Sequence, residues 1–575
     1  MSRCNALSPI SSLPPELFAS IFTILCLPGT SPQDGKPDDH HLARLRVSHV
    51  CHQWREMALN LPLLWSHVDF TFINLAGAAE TLARAKSAPL YLAADISRQR
   101  WDSDRFRTFQ KELQAHVPHI CHLRISAAQT TRLHKTLGGL VSPAPNLEHL
   151  SLSSTKGNRR RRSLRGHGRS SMPDTLFNNS TPRLSRLELR NCNISWKSPL
   201  LKGLKYLEIV TLSTNARPEL AVWLAALDEM PQLTTLTLHS ASPIVSPSGP
   251  PPPLVAKRTV TLASLTRLDI SGSPGDCALA LTHLDLPALT WLCITPFTSD
   301  LLVISGVQML LPFIVRHVHG PQDTQPLQTV FIRSEACRAD VLAWPAPNIQ
   351  VDIAVRDLPT LLTATPPTRV ALSFRSHGWL SPENRLEILD MVMACLPLDD
   401  LVMLAAHDLS RSRHEEAPET QNFWHHLSPM WTMLQCVRLS PAAADGFVAM
   451  LLEDNGGRRE RPLLPSLTQL VMVDFSFYSL SSLPLFHALM KRVKEGVPVK
   501  ILDLRMCRLH PDDPALAEPW LDYIGEIVDV LHPETSEAME QIESIWDTVA
   551  HGPFVSHDDS SESYRSNTDD EDSEE

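Results

Sequence analysis

Two hydrophobic periods alternate along the chain. From about residue 120 to 510 a short motif recurs: an apolar residue, two of any kind, an apolar residue, one of any kind, and a further apolar residue. Its clearest copies are Leu147-Leu150-Leu152, Leu184-Leu187-Leu189 and Leu233-Leu236-Leu238. Further copies centre on Leu268, Leu292, Leu470 and Leu502, and weaker ones on Leu123, Leu207, Val330, Val370, Leu401 and Val437. The second half of each copy alternates apolar and open positions, the period of a strand that buries one face. Helical spacing fills several of the intervals. Residues 217–230 align Leu220, Trp223, Leu224 and Leu227. Residues 381–396 begin Ser381-Pro382-Glu383 and align Leu386, Leu389, Met393 and Leu396, and residues 483–495 end at Gly496. Serine suits a helix start and glycine a helix end, by side-chain capping and by tolerance of positive φ respectively.

One strand-plus-helix unit cannot cover its own apolar face, so neighbouring units must stack. Two copies extend further, with Cys192 and Ile194 after the first and Cys507 and Leu509 after the second, and a small thiol fits the turn there. Spacings between copies run from 20 to 40 residues, wider than the roughly 20–29 of regular leucine-rich repeats. The pattern therefore predicts a degenerate α/β solenoid over 119–515, with strands lining a concave face and helices outside. The competing reading, an ordinary α/β domain with incidental motifs, explains the ordered recurrence less well.

The first seventy residues have a different texture. Leu13-Pro14-Pro15-Glu16 reads as a helix start, since proline lacks the N–H that the first turn leaves unpaired and a carboxylate suits the positive helix end. Apolar residues follow at Leu17, Ile21, Ile24 and Leu25, then at Leu42, Leu45 and Val50, then at Trp54 and Ala58. Residues 10–66 thus predict three short amphipathic helices with little core of their own. The order Leu13-Pro14, Glu16-Leu17, Ile21-Phe22, Val50-Cys51, Trp54-Arg55 and Leu64-Trp65 resembles an F-box, most like the large F-box-like families of mushroom-forming fungi. That resemblance implies docking on the adaptor subunit of an SCF-type cullin ubiquitin ligase. It assigns adaptor contacts to Leu13, Pro14, Leu17, Ile21, Val50, Cys51 and Trp54, with Leu64 and Trp65 closing the module. Residues 28–41 lengthen the usual connection between the first two helices. The alternative is a helical cap sealing the end of the solenoid, in a protein-interaction scaffold with no ligase role. Deleting residues 1–66 should separate the two, destabilising a capped solenoid but leaving an independent receptor domain folded.

The expected fold is α+β: the helical module at 10–66, a linking segment at 67–118, the solenoid at 119–515, capping helices at 516–552 and an acidic tail at 553–575. The capping stripes are Leu521, Ile524, Val528 and Leu531, then Met539, Ile542 and Trp546. The net charge of −11 is concentrated in the tail, which holds nine Asp/Glu and one Arg. The remainder is nearly neutral overall and gives no global case for nucleic acid. Residues 155–173 carry Arg159–Arg162, Arg165 and Arg169, readable as an import signal, a contact for an anionic partner, or a solvated insertion. Residues 242–258 form a proline-rich spacer. Both are expected to be disordered loops, and serines among the tail carboxylates suit phosphorylation.

Eleven dispersed cysteines without a C-x-x-C pair suit a reducing compartment. The segment Met1–Ser12 lacks the apolar core of a secretory signal, and the run Leu301–Val315, broken by Ser305, Gly306, Gln308 and Pro312, is short of a membrane span. A soluble intracellular protein, cytoplasmic and/or nuclear, is expected. Gly29 to Lys36 lacks the spacing and the Ser/Thr of a phosphate loop. His116, His119, Cys121 and His122 fit no standard zinc pair, and His40, His41, His49 and His52 fare no better. No catalytic residue, cofactor or metal is expected. Function is expected to be binding: adaptor through the helices, target protein through the solenoid, with no membrane and no nucleic-acid partner.

Overall fold

A computed structural model describes residue 10 and residues 13–26, 40–97, 101–128, 130–154, 172–212, 216–244, 258–287, 290–298, 302–319, 326–335, 337–347, 368–376, 378–408, 423–425, 431–453, 462–477, 482–509, 524–525 and 527–532. Among them, helices α1 (Pro15–Cys26), α2 (His40–Ser48) and α3 (His52–Leu59) open the chain. The remainder alternates strands with helices, and one 17-stranded sheet runs through it. The first strands are β1 (His67–Asp69), β2 (Leu90–Asp95), β3 (Ile120–Ala127), β4 (His149–Ser154), β5 (Arg186–Arg190), β6 (Tyr206–Val210) and β7 (Thr235–His239). The short β8 (Val260–Thr261) and β10 (Leu284–Asp285) pair apart from the sheet, which resumes with β9 (Arg267–Gly272) and β11 (Trp291–Thr298). Then come β12 (Thr329–Glu335), β13 (Arg338–Trp344), β14 (Val370–Ser376), β15 (Met403–Asp408), β16 (Cys436–Leu439), β17 (Gln469–Phe477), β18 (Ile501–Leu509) and β19 (Val530–His532).

Strand pairing follows the hydrophobic motif. Leu92, Leu123, Leu150, Leu187, Leu207, Leu236, Leu268 and Leu292 are register partners in turn across parallel strands β2 to β11. Each is nearly or fully buried. A second ladder, Val330, Leu404, Val437, Leu470, Leu502 and Leu531, continues the same position through β12, β15, β16, β17, β18 and β19. The expected centre at Leu401 is displaced: Leu401 precedes β15 and Leu404 holds the register position. Leu531 likewise lies in β19 and not on a capping helix. The stripe Met539, Ile542 and Trp546 lies outside the described residues, as do the bulk of both insertions (155–171 and 245–257), residues 27–39 and the acidic tail.

The sheet departs from a simple repeat between β11 and β15. There β12 pairs with β13 and β13 with β14, both antiparallel, and β14 returns beside β11. This out-and-back hairpin accounts for the 40-residue spacing between Val330 and Val370. After β5, β6 and β7 the chain turns through Asn191, Thr211 and Ser240, all at positive φ (55°, 60° and 50°). Each donates its amide to a carbonyl at or near the end of the next strand in the sheet: Val210, His239 and Ser271. Asparagine tolerates that conformation, whereas β-branched Thr211 holds it against steric cost.

Behind the sheet pack α4 (Leu75–Ala85), α5 (Ser103–His116), α6 (Thr130–Gly138), α7 (Leu220–Asp228), α8 (Pro274–Thr282), α9 (Val303–Val318), α10 (Pro382–Met393), α11 (Pro441–Leu452) and α12 (Ser482–Lys494). The starts and stops read from sequence recur here: Ser381 caps α10 through its hydroxyl to the Asn384 amide, and Gly496 adopts φ +76° beyond α12. No helix among the described residues is long and apolar enough to cross a membrane. Cys192 is buried and its thiol is pushed up to about 12 by desolvation, so it packs the turn after β5 as an inert side chain.

One apolar core runs from Phe18 and Phe22 of α1 through Leu504 and Cys507 of β18 to Val528. The helical module is thus continuous with the sheet. Trp65 is 1% exposed, donates its indole N–H to the Ala58 carbonyl at 2.8 Å, and carries the Arg84 guanidinium of α4 over its ring at 4.6 Å. Arg44 of α2 donates to the His67 carbonyl of β1. Removing residues 1–66 is therefore expected to destabilise the sheet edge whichever role the module has. Trp65→Ala alone should lower stability by about 3–5 kcal/mol, read as a shift of the denaturation midpoint; an unshifted midpoint would mean that the module folds apart from the sheet.

His317, on α9, donates its Nε2–H to the Thr290 carbonyl at 2.9 Å. Burial lowers its imidazole to about 4, outweighing that hydrogen bond. With a folded value below the unfolded 6.5, the unfolded chain takes up the proton that the folded chain refuses. Stability is then full above pH 6.5 and falls as pH drops towards 4, by roughly 1.4 kcal/mol per unit. Thermal unfolding between pH 7 and 4.5 should show this slope, and His317→Gln, which keeps an N–H donor, should flatten it. Equal slopes in both chains would exclude His317 as the source.

Candidate functional site

The surface of the helical module is set by how α1 divides its apolar residues. Phe18 and Phe22, one turn apart, are buried, and their rings meet Trp54 of α3 at 5.6 and 5.2 Å between centroids. With Val47 and Ala58 they form the module's interior. Leu17, Ile24 and Leu25 face solvent on the same helix, 50%, 77% and 53% exposed. Leu45 of α2 and Val50, in the α2–α3 connection, are also exposed. Five large apolar side chains thus stand uncovered within forty residues of sequence. Leu17, Ile24 and Leu25 fall at helical spacing on one face of α1, an exposed apolar stripe of the kind that marks an interaction surface.

The residues assigned to adaptor contact divide accordingly. Pro14, Leu17 and Val50 are exposed and present surface. Leu13, Ile21 and Trp54 are half-buried and pack against the core, so they serve the interior as well as the rim. Cys51 is half-buried at the N-cap of α3, where its backbone is extended and its thiol caps nothing. Leu64 and Trp65 are buried, as the closing role requires, and offer no contact surface. Their assignment to adaptor binding is corrected on that ground: both side chains are spent inside the molecule. Three further residues, Ile24, Leu25 and Leu45, belong to the surface. The signal of Ile24 and Leu25 was present in the helical stripe Leu17-Ile21-Ile24-Leu25, which reads as a buried face until Phe18 and Phe22 are recognised as the inward pair.

The histidine clusters disperse over the fold. His116 ends α5, His122 stands on β3 and Cys121 is buried. His49 and His52 flank the α2–α3 turn and are exposed, His52 lying 3.6 Å from Glu56. Among the described residues no three His, Cys, Asp or Glu side chains converge as metal ligands.

No curated protein matches the chain. Residues 10–71, the helical module together with β1, match the family model described as F-box-like.

Proposed function

We propose that the chain is the substrate-recognition subunit of an SCF-type cullin ubiquitin ligase. The observation that carries this reading is the F-box-like match over residues 10–71, whose helices leave Leu17, Ile24, Leu25, Leu45 and Val50 uncovered. The adaptor docks on that apolar patch. A target protein docks on the repeated strands, read as a leucine-rich-repeat-like solenoid of the kind carried by fungal F-box proteins. The chain itself transfers nothing. It raises the effective concentration of the target near a ubiquitin-charged enzyme held by other subunits. Residence in the cytoplasm and/or nucleus follows from that role.

The shared core of module and sheet favours a second reading, in which the helices only cap the sheet of an interaction scaffold. Co-expression with the ligase adaptor separates the two. The receptor reading expects a stoichiometric complex that is lost when the exposed patch carries charge; the cap reading expects no complex with a well-folded chain.

A further inference from the structure

A cleft of about 370 Å³ opens on the helix side of the sheet, between the β5–β6 connection and α7. Its size is that of a small-molecule site, roughly 300–1,000 Å³. The sequence leaves this space open. Helix α7 buries Trp223, Leu224 and Leu227 and turns Ala221, Val222 and Ala225 to the cleft, both alanines being exposed. Methyl groups one turn apart cannot fill the gap to the neighbouring segment, Trp196 to Lys202. That segment stands as a separate wall because it turns at Pro199–Leu201, where the Ser198 hydroxyl accepts from the Leu200 amide. The Gly203 amide donates to the Glu229 carbonyl at 3.0 Å and ties the two walls where α7 ends.

Two neighbours in sequence give the lining its chemistry. Trp196 lines the cleft and is 5% exposed, and its indole N–H has no acceptor among the described residues. A buried donor without a partner is destabilising until an acceptor is supplied, and few native side chains stay so. Lys197, also in the lining, is exposed and has no carboxylate within ion-pair distance among the described residues. The other lysine, Lys202, already pairs with Glu229 at 3.6 Å. One positive charge is therefore uncompensated, beside a floor of Leu201, Val222 and alanine methyls.

We propose that this cleft binds a small amphipathic carboxylate, whose apolar body lies along α7 and whose acid group pairs with Lys197 and accepts from the Trp196 indole N–H. The indole nitrogen is closed to bulk water, so the acid reaches it as the ring turns toward the cleft. One cation and one neutral donor suit a monoanion. A phosphate group, with up to two charges and three strong acceptor oxygens, would leave most of its acceptors unmatched. From Ala221 through Ala225 to Glu229 the floor runs about 12 Å at the helical rise, the length of roughly three extended residues. A free aliphatic acid and the carboxyl end of a peptide share this chemistry. The proposal is independent of adaptor and target docking.

The test titrates full-length, nitrogen-15-labelled protein with octanoate and with acetyl-dileucine, a free acid and a peptide acid. At least one should bind saturably and shift the Trp196 indole N–H resonance, which is identified by its loss in Trp196→Phe. Octanamide and the dileucine amide should bind fivefold or more weakly than the acids. Lys197→Gln should weaken the acids by a similar factor. Ala225→Leu fills the cleft from an exposed position on α7 and should weaken them tenfold or more. Arg124→Gln, exposed on β3, should leave binding unchanged, and circular dichroism melts establish that each variant is folded. The tighter of the two acids identifies the source of the carboxylate. No shift with either acid, equal binding of acid and amide, or binding that survives both Lys197→Gln and Ala225→Leu overturns the proposal.

Discussion

Aspartate at both Leu17 and Ile24 is expected to abolish capture of the ligase adaptor while leaving the thermal melt within about 2 °C of the wild type. The two side chains lie one helical repeat apart on the outer face of α1 and are 50% and 77% exposed, so neither supports the fold. In a docked interface each would be buried against apolar surface, and a carboxylate there loses its hydration without a partner, at a cost of several kcal/mol. Hot-spot losses of about 2 kcal/mol or more at each site correspond to well over 100-fold in affinity together. Surface plasmon resonance against the purified adaptor reads that loss directly. Phe18→Asp makes the opposite control: Phe18 is 1% exposed between Phe22 and Trp54, and a charge there should unfold the module as well as its binding. Undiminished adaptor binding by the Leu17/Ile24 variant would remove α1 from the interface. Leu13→Ala with Pro14→Ala tests the same edge less cleanly, because Leu13 packs into the core.

The sheet was legible from residues because its signal is local. A strand that buries one face must alternate, and the leucines at 123, 150, 187, 207, 236, 268 and 292 do so in register. What failed to show was long-range. The strand β13 has no leucine motif, since its pairing is decided by antiparallel neighbours and by Arg333 and Ser373 opposite Asp340. The row of register partners His67, Tyr91, His122, His149, Arg186 and Tyr206 was also hidden: its members sit in the polar positions of the motif, and only parallel register sets His122 against His149. In the helical module, the period located α1 but did not assign its faces. An apolar residue on each of two sides satisfies the same periodicity, and burial of Phe18 and Phe22 distinguishes core from contact surface. The seven assigned contacts accordingly mix exposed Leu17 with half-buried Trp54.

The second large effect is expected at the hairpin that interrupts the parallel sheet. Arg333 of β12 and Asp340 of β13 are register partners with fully buried side chains. Arg333 donates through Nε at 2.8 Å and Nη2 at 2.6 Å to one carboxylate oxygen, and Ser373 of β14 donates its hydroxyl to the other at 2.6 Å. One carboxylate thereby joins three strands on the closed side of the sheet. Desolvating such a pair consumes much of its Coulombic gain, so its presence contributes more to register than to net stability. Breaking it is another matter. Asp340→Ala removes the closest carboxylate from the buried Arg333 guanidinium, with Glu335 3.6 Å away, and leaves the Ser373 hydroxyl without its acceptor. A loss of about 3–5 kcal/mol is expected in urea unfolding. Replacing both partners, Arg333→Met with Asp340→Leu, removes the uncompensated charge and should recover most of that loss. The coupling from the double-mutant cycle would then be of order 1–3 kcal/mol. Strictly additive losses would show that the two side chains act independently, and that some other contact holds the hairpin in place between β11 and β15.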